Sequence, residues 1–270
     1  MDRRLLTPAE AVLLLAPSSN TAGKCLQAGL LSLLSIGRIA IEPSSGLFKQ
    51  SALLLRDDAP PMAKPLPSHI QAIADALHAH GKGNRLTSAE VFHALQKRFG
   101  IGFGRYVHDE VAPGLIERNL LIRKDGKWLG LFPRISYQHT ARGAALVVPI
   151  TRLVSAVERV PSLIEQDPDQ ALNIALSAGV LLVMSSKARR QIPALRKLFA
   201  ERGDDFAPAV YMPLDGGGEG EEEIGQLIDL SDMALSFDMP ALLDGIDAVC
   251  DFTSGGDSSS DGGDGGGGGD

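Results

Sequence analysis

Apolar positions recur through the first 200 residues at mostly helical spacing. Thr7-Pro8-Ala9-Glu10 opens the first apolar stretch with the chemistry of a helix start: a capping hydroxyl, a proline in the first turn and an acid three residues past the cap. The pattern predicts helices over 8–16 and 23–35, a strand over 37–42 and a returning strand over 46–55. A second stretch reads alike, with helices over 68–80, 88–98 and 105–118. Thr87-Ser88-Ala89-Glu90 caps the middle one, and Pro113-Gly114 is a candidate break in the last. The runs 120–124 and 127–132 then flank Asp125-Gly126, and Asp-Gly between alternating apolar runs predicts a tight hairpin turn. Each stretch is a set of helices followed by a β-wing, the layout of a winged helix. Helices resume over 141–160, 169–184 and 193–202. The predicted fold class is mainly α: a helical bundle with winged-helix-like units, short β-hairpins and a disordered, acidic, Gly-rich C-terminal tail.

Composition divides the chain. Residues 57–67 carry Pro60, Pro61, Pro65 and Pro67, which mark a linker. It separates a unit of helices plus hairpin, 1–56, from a helical body, 68–203, with a hairpin over 120–134. From 204 onward the sequence turns acidic and Gly-rich, and past Ser254 only Ser, Gly and Asp remain, so the end is read as disordered. Within it, 224–252 retains spaced apolar residues (Ile228, Leu230, Met233, Leu235, Phe237, Leu242) that suit a short docking helix or interaction motif.

Apolar residues make up 44 % and aromatics 5 %, so the core is built from aliphatic side chains, which favours packed helices. Two cysteines, Cys25 and Cys250, do not form a disulfide framework and fit a reducing compartment. The opening lacks the pattern of a secretory leader. The longest apolar run, 171–184, is interrupted by Asn173 and Ser177 and spans roughly 21 Å as a helix, short of the ~30 Å hydrocarbon core. It is read as a buried helix of a soluble protein. The net charge of −7 hides a division: residues 201–270 hold 18 acids and one base, leaving 25 bases and 15 acids before them. A basic body on an acidic tail suits an anionic partner, and the tail could compete for the same face.

The usual catalytic constellations do not appear, and no catalytic residue, metal site or cofactor is predicted. His78 and His80 are two apart and point to different sides of one helix, while His69, His93, His108 and His139 lack neighbouring Cys or paired carboxylates. Gly81-Lys82-Gly83-Asn84 is too short for a phosphate-binding loop, and Gly100-Ile101-Gly102 with Gly104 reads as a turn between helices. The region 97–134 is the candidate site. Lys97 and Arg98 end one helix; Arg105 and His108, three apart, share a face near the start of the next, which suits an anion. Trp128, Leu129, Leu131 and Phe132 stand beside Lys124, Lys127 and Arg134, and strand alternation puts Trp128 and Phe132 on one side. Large apolar residues flanked by cations form either a membrane-interface anchor or a wing folded on its own core.

These residues carry a resemblance. Arg105-Tyr106-Val107-His108-Asp109, the phrase from Gly114 through Leu121, and Lys127 through Tyr137 resemble the middle of the Golgi phosphoprotein 3 family. So do the opening Leu6 through Ala16, the stretch from Gly29 to Glu42 with Ile36-Gly37-Arg38-Ile39, and Asp167-Pro168-Asp169 leading into the run that follows. The likeness is scattered over roughly residues 5–185. It implies a mostly helical peripheral membrane protein on the cytosolic face of the Golgi, if the source is eukaryotic. The implied partners are phosphatidylinositol 4-phosphate and the cytosolic tails of membrane proteins such as glycosyltransferases. By the resemblance, Arg105 holds the place of one headgroup-binding arginine, His108 that of a second, and Trp128 through Phe132 are the inserted hairpin. Two departures stand out: the family's further Trp and Arg have no counterpart around 17–26, and His108 in place of arginine makes binding weaker or pH-dependent. Two readings from other classes remain open. One is a winged-helix nucleic-acid binder, against which Asp109, Glu110 and Glu117 lie on the would-be recognition helix; the other is a protein–protein module carried by 224–252.

Overall fold

The structure is a computed structural model and describes residues 6–42, 52–56, 65–80, 84–128 and 132–202. It is mainly helical, with two short antiparallel sheets. Helix α1 (Pro8–Leu15) starts on the predicted capping box: the Glu10 N–H donates to Thr7 Oγ1 at 3.3 Å, and the Thr7 N–H donates to Glu10 Oε2 at 2.8 Å. Its residues are buried nearly all round, as an apolar helix inside a bundle must be. It packs on α2 (Ala22–Ser35), which ends where Gly37, at φ +69°, turns the chain into strand β1 (Ile39–Glu42). Strand β2 (Ala52–Leu55) pairs with β1.

The next stretch adds α3 (Ser68–His80), a short strand β3 (Arg85–Thr87) and α4 (Ser88–Phe99), the last capped by Thr87 and Glu90. Strand β3 pairs with β2, so the first hairpin becomes a three-stranded sheet in the order β1-β2-β3. The Pro-rich stretch therefore parts two segments in sequence that meet in space. Leu13, Leu33, Ile73, Leu95 and Leu115 all sit in one core. Tyr106 fills its centre, edge-on to Phe99 at 5.1 Å between ring centroids. Gly29 of α2 makes room for it, since a Cβ there would lie 2.5 Å from the Tyr106 hydroxyl and 2.4 Å from Ile73 Cδ1.

Two sequence expectations are corrected. The stretch 105–118 does not break at Pro113-Gly114. It widens into a π-helical turn over Tyr106–Val111 and continues as α5 (Ala112–Glu117), with Pro113 in the first turn. Proline removes one N–H and crowds the carbonyl four residues back, and the wider turn just ahead of it relieves both. The hairpin does not turn at Asp125-Gly126 either. Strand β4 runs from Leu121 through Trp128, and β5 spans Phe132–His139. Asp125 pairs with Ile135 and Gly126 with Arg134, eight residue pairs in all, where an Asp-Gly turn would leave far fewer. The Asp125 carboxylate accepts from Arg123 Nε at 2.9 Å instead of closing a turn.

Beyond the hairpin, α6 (Ala141–Val157), α7 (Val160–Gln166) and α8 (Pro168–Ala178) lead into α9 (Val180–Met184), α10 (Ser186–Arg189) and α11 (Ile192–Arg202). The apolar run 171–184 is split at Gly179, φ +52°, and its inner residues build a second small core with Val160, Leu163 and Leu195. Among the described residues no helix is long and apolar enough to cross a membrane. The linker stretch 57–64, the acidic end from 203 onward with its motif 224–252, and residues 129–131 lie outside the described residues.

Candidate functional site

The chain between α4 and the π-helical turn holds the candidate cations. Gly100 (φ +85°) caps α4, and Phe103, itself left-handed at φ +54°, plugs the core with no exposed surface. Between these two anchors Ile101 is thrown outward, 82 % exposed, which no periodicity in the sequence signals beyond its flanking glycines. Lys97, Arg98 and Arg105 are exposed around this tip. Arg98 Nη2 contacts Glu110 Oε1 at 3.4 Å. Arg105 makes no hydrogen bond or ion pair among the described residues.

Arg105 is exposed, whereas His108, three residues on, is engaged with the hairpin. It is half-buried, and its Nδ1 lies 2.7 Å from the Tyr137 hydroxyl of β5. Tyr137 reaches this place because it pairs with Arg123 across the hairpin, a consequence of the corrected register. Burial, with Arg123 nearby, holds the His108 imidazole below its usual value, while Asp109 partly opposes this. Burial also pushes the Tyr137 phenol up to about 12. With a neutral imidazole and a protonated phenol the contact is a hydrogen bond in either sense, and the histidine tautomer sets which group donates. The contact joins the helix bearing Arg105 to the strand that leads from the hairpin tip. Trp128 and Phe132 are opposed across the strands rather than four apart on one strand, and Leu129 and Leu131 lie outside the described residues.

A second polar cluster lies under α1. Arg118 Nη2 donates to Glu10 Oε1, Arg118 Nε donates to the Gly114 carbonyl at 3.0 Å, and Thr7 Oγ1 stands 2.9 Å from His69 Nε2. His69 is buried, and burial holds its imidazole below the usual value; Glu10 raises it and Arg118 lowers it. Just below the ordinary histidine value of about 6.5 the unfolded chain therefore binds protons that the folded chain refuses, so stability rises with pH through that window. We expect the Tm to hold above about pH 7 and to fall as pH drops below about 6.5. Melts of a His69→Gln variant across the same range should show a flatter profile from a lower starting Tm. An unchanged slope would refute His69 as its source.

Among the described residues no three His, Cys, Asp or Glu side chains are placed to hold a metal ion. Cys25 is buried, with its thiol pushed up to about 12 by desolvation, and has the character of a core residue. No protein-family model matches the chain, and no curated protein matches it either.

Proposed function

We propose that the chain is a peripheral membrane adaptor that reads an anionic phosphoinositide headgroup, as its likeness to the Golgi phosphoprotein 3 family implies. Arg105, Lys97 and Arg98 would meet the headgroup, with His108 joining them once protonated. Trp128, Leu129, Leu131 and Phe132 would enter the interface. The observation that carries the reading is the 2.7 Å contact between His108 and Tyr137, because it couples the helix of the unpaired Arg105 to the hairpin strand. A headgroup bound at one would fix the position of the other.

Magnitudes make the hairpin decisive. Each cation near an anionic surface contributes about 1 kcal/mol, so three give only weak attachment. Burying Trp and Leu side chains at about 25 cal/mol per Å² adds the larger share. Trp128 is the single tryptophan, which makes its emission a direct reporter. Titrating vesicles that contain phosphatidylinositol 4-phosphate should shift the emission to the blue, and neutral vesicles should not. Arg105→Ala should weaken the partitioning about fivefold. Acidification below about pH 6.5 should strengthen it in the parent chain but not in His108→Gln. No shift with any vesicle would refute the reading and turn attention to duplex DNA and protein partners.

A further inference from the structure

The backbone register places three arginines, distant in sequence, at one end of the first sheet. Directly opposed residues of an antiparallel ladder project to the same face, as do residues two apart on one strand. Leu54 is opposed by Ala40 on one side and by Arg85 on the other. Arg56 lies two residues beyond Leu54, and its N–H donates to the Arg38 carbonyl at 3.0 Å, which extends the β1–β2 register by one pair. Arg38, Arg56 and Arg85 thus share the face opposite to the one that buries Ile39, Leu53, Leu55 and Leu86 in the core. Opposed Cβ atoms such as those of Arg38 and Arg56 stand about 5 Å apart and diagonal ones such as those of Arg56 and Arg85 about 7–8 Å. Arg38 and Arg85, on the two strands that flank β2, are about 10 Å or more apart, a gap that two long side chains reaching toward one ion can span.

Like charges opposed in a ladder repel. Arg38 adds a second cost, for its Nε is buried without a hydrogen-bond partner, and a charged donor without an acceptor is unfavourable in proportion to its desolvation. Arg56 and Arg85 are exposed, and each already has an interaction within the chain, so Arg38 is the group that lacks an acceptor. Half-buried Ala40 and Leu54 lie beside the three cations. Within these three strands the acid, Glu42, is at the far end of β1, paired with Ala52; Asp57 and Asp58, which follow Arg56 in sequence, lie outside the described residues.

We propose that this sheet end is a binding site for a phosphomonoester-type dianion, with Arg38 Nε as the inner donor and the guanidinium groups of Arg56 and Arg85 closing over it. A group of about −1.5 to −2 offers several acceptor oxygens, enough to satisfy Arg38 Nε and to be shared with Arg56 and Arg85, which keep interactions of their own within the chain. The planar guanidinium offers paired donors that match phosphate oxygens. The site is separate from Arg105 and His108, on different elements, and stands or falls without the membrane reading.

The test uses the full chain with arginine Nε–H resonances followed by NMR, the Arg38 signal being assigned by its loss in Arg38→Lys. Inorganic phosphate should move the Arg38 Nε–H downfield and saturably. Arg56→Gln and Arg85→Gln, both at exposed positions that leave the core alone, should each weaken the response about tenfold. Acetate at equal ionic strength should leave the resonance in place. Vesicles bearing a phosphomonoester headgroup then separate the sources: a stronger effect than inorganic phosphate at equal phosphate concentration assigns a lipid-borne group, and a weaker one a soluble ligand. No movement with phosphate, an equal movement with acetate, or a response that survives in the double Gln variant would overturn the proposal.

Discussion

Arg118→Met is expected to destabilise the protein by about 3 kcal/mol, the lower end of the range for stripping one partner from a buried ion pair. The reason lies in Glu10, which is only 7 % exposed and must keep its charge paired. One of its oxygens caps α1 through the Thr7 N–H, and the other accepts from Arg118. Remove the guanidinium and a buried carboxylate faces Gly114 and the neutral His69–Thr7 pair with no countercharge. The lower end applies because the Arg118 side chain keeps 20 % of its exposure, so water partly screens what remains. A double variant, Glu10→Gln with Arg118→Met, should recover most of the loss. Glutamine serves the capping box as glutamate does, and it needs no counter-ion. Denaturant unfolding of the four chains measures the coupling. If the single Arg118→Met variant loses less than about 1 kcal/mol, the pair is an ordinary surface contact and this account fails.

Local chemistry was the part of this chain that could be read directly. Both capping boxes, Thr7 with Glu10 and Thr87 with Glu90, appear where hydroxyl and acid stand three apart, because a cap involves only neighbours in sequence. Periodicity likewise gave the long helices and the mainly helical class. What could not be read depends on partners far along the chain. Asp125-Gly126 has the local form of a turn, yet β4 continues through it, since the longer register also seats Tyr137 against His108. Strand β3 is three residues of Arg-Leu-Thr, too short for any alternation to show, and exists because β2 offers it an edge. Gly29 looks like an ordinary helix interior; only Tyr106 and Ile73, which arrive from elsewhere, explain why it carries no side chain. Of the candidate site, Arg105 is exposed, while the contact of half-buried His108 with Tyr137, 29 residues away, leaves no sign in the local sequence. The exposed Ile101 and the buried pairing of Glu10 with Arg118 likewise needed the fold to appear.

Gly143→Ala should cost about 3 kcal/mol, the upper end of what overpacking does, because the obstacle is main chain rather than a side chain that can swing away. A Cβ at this position would lie 2.0 Å from the Leu120 carbonyl oxygen. The first turn of α6 cannot back off cheaply, for it is stitched to the entry of β4 at several points. The Thr140 N–H donates to the Leu120 carbonyl at 3.1 Å, the Thr140 hydroxyl donates to the Asn119 carbonyl at 2.7 Å, and the same hydroxyl accepts from the Gly143 N–H at 2.9 Å. Moving the helix outward breaks these together and tilts the base of the hairpin with it. Gly104→Ala provides the contrast. Its Cβ would meet only the His108 ring at 3.9 Å, ordinary contact, and alanine there restricts the unfolded chain, so stability should hold or rise by up to about 1 kcal/mol. Denaturant melts of the two variants therefore separate close approach from the general effect of replacing glycine in a helix. Equal losses in both would mean that helix α6 yields at Leu120 and that the hairpin is not held by this junction.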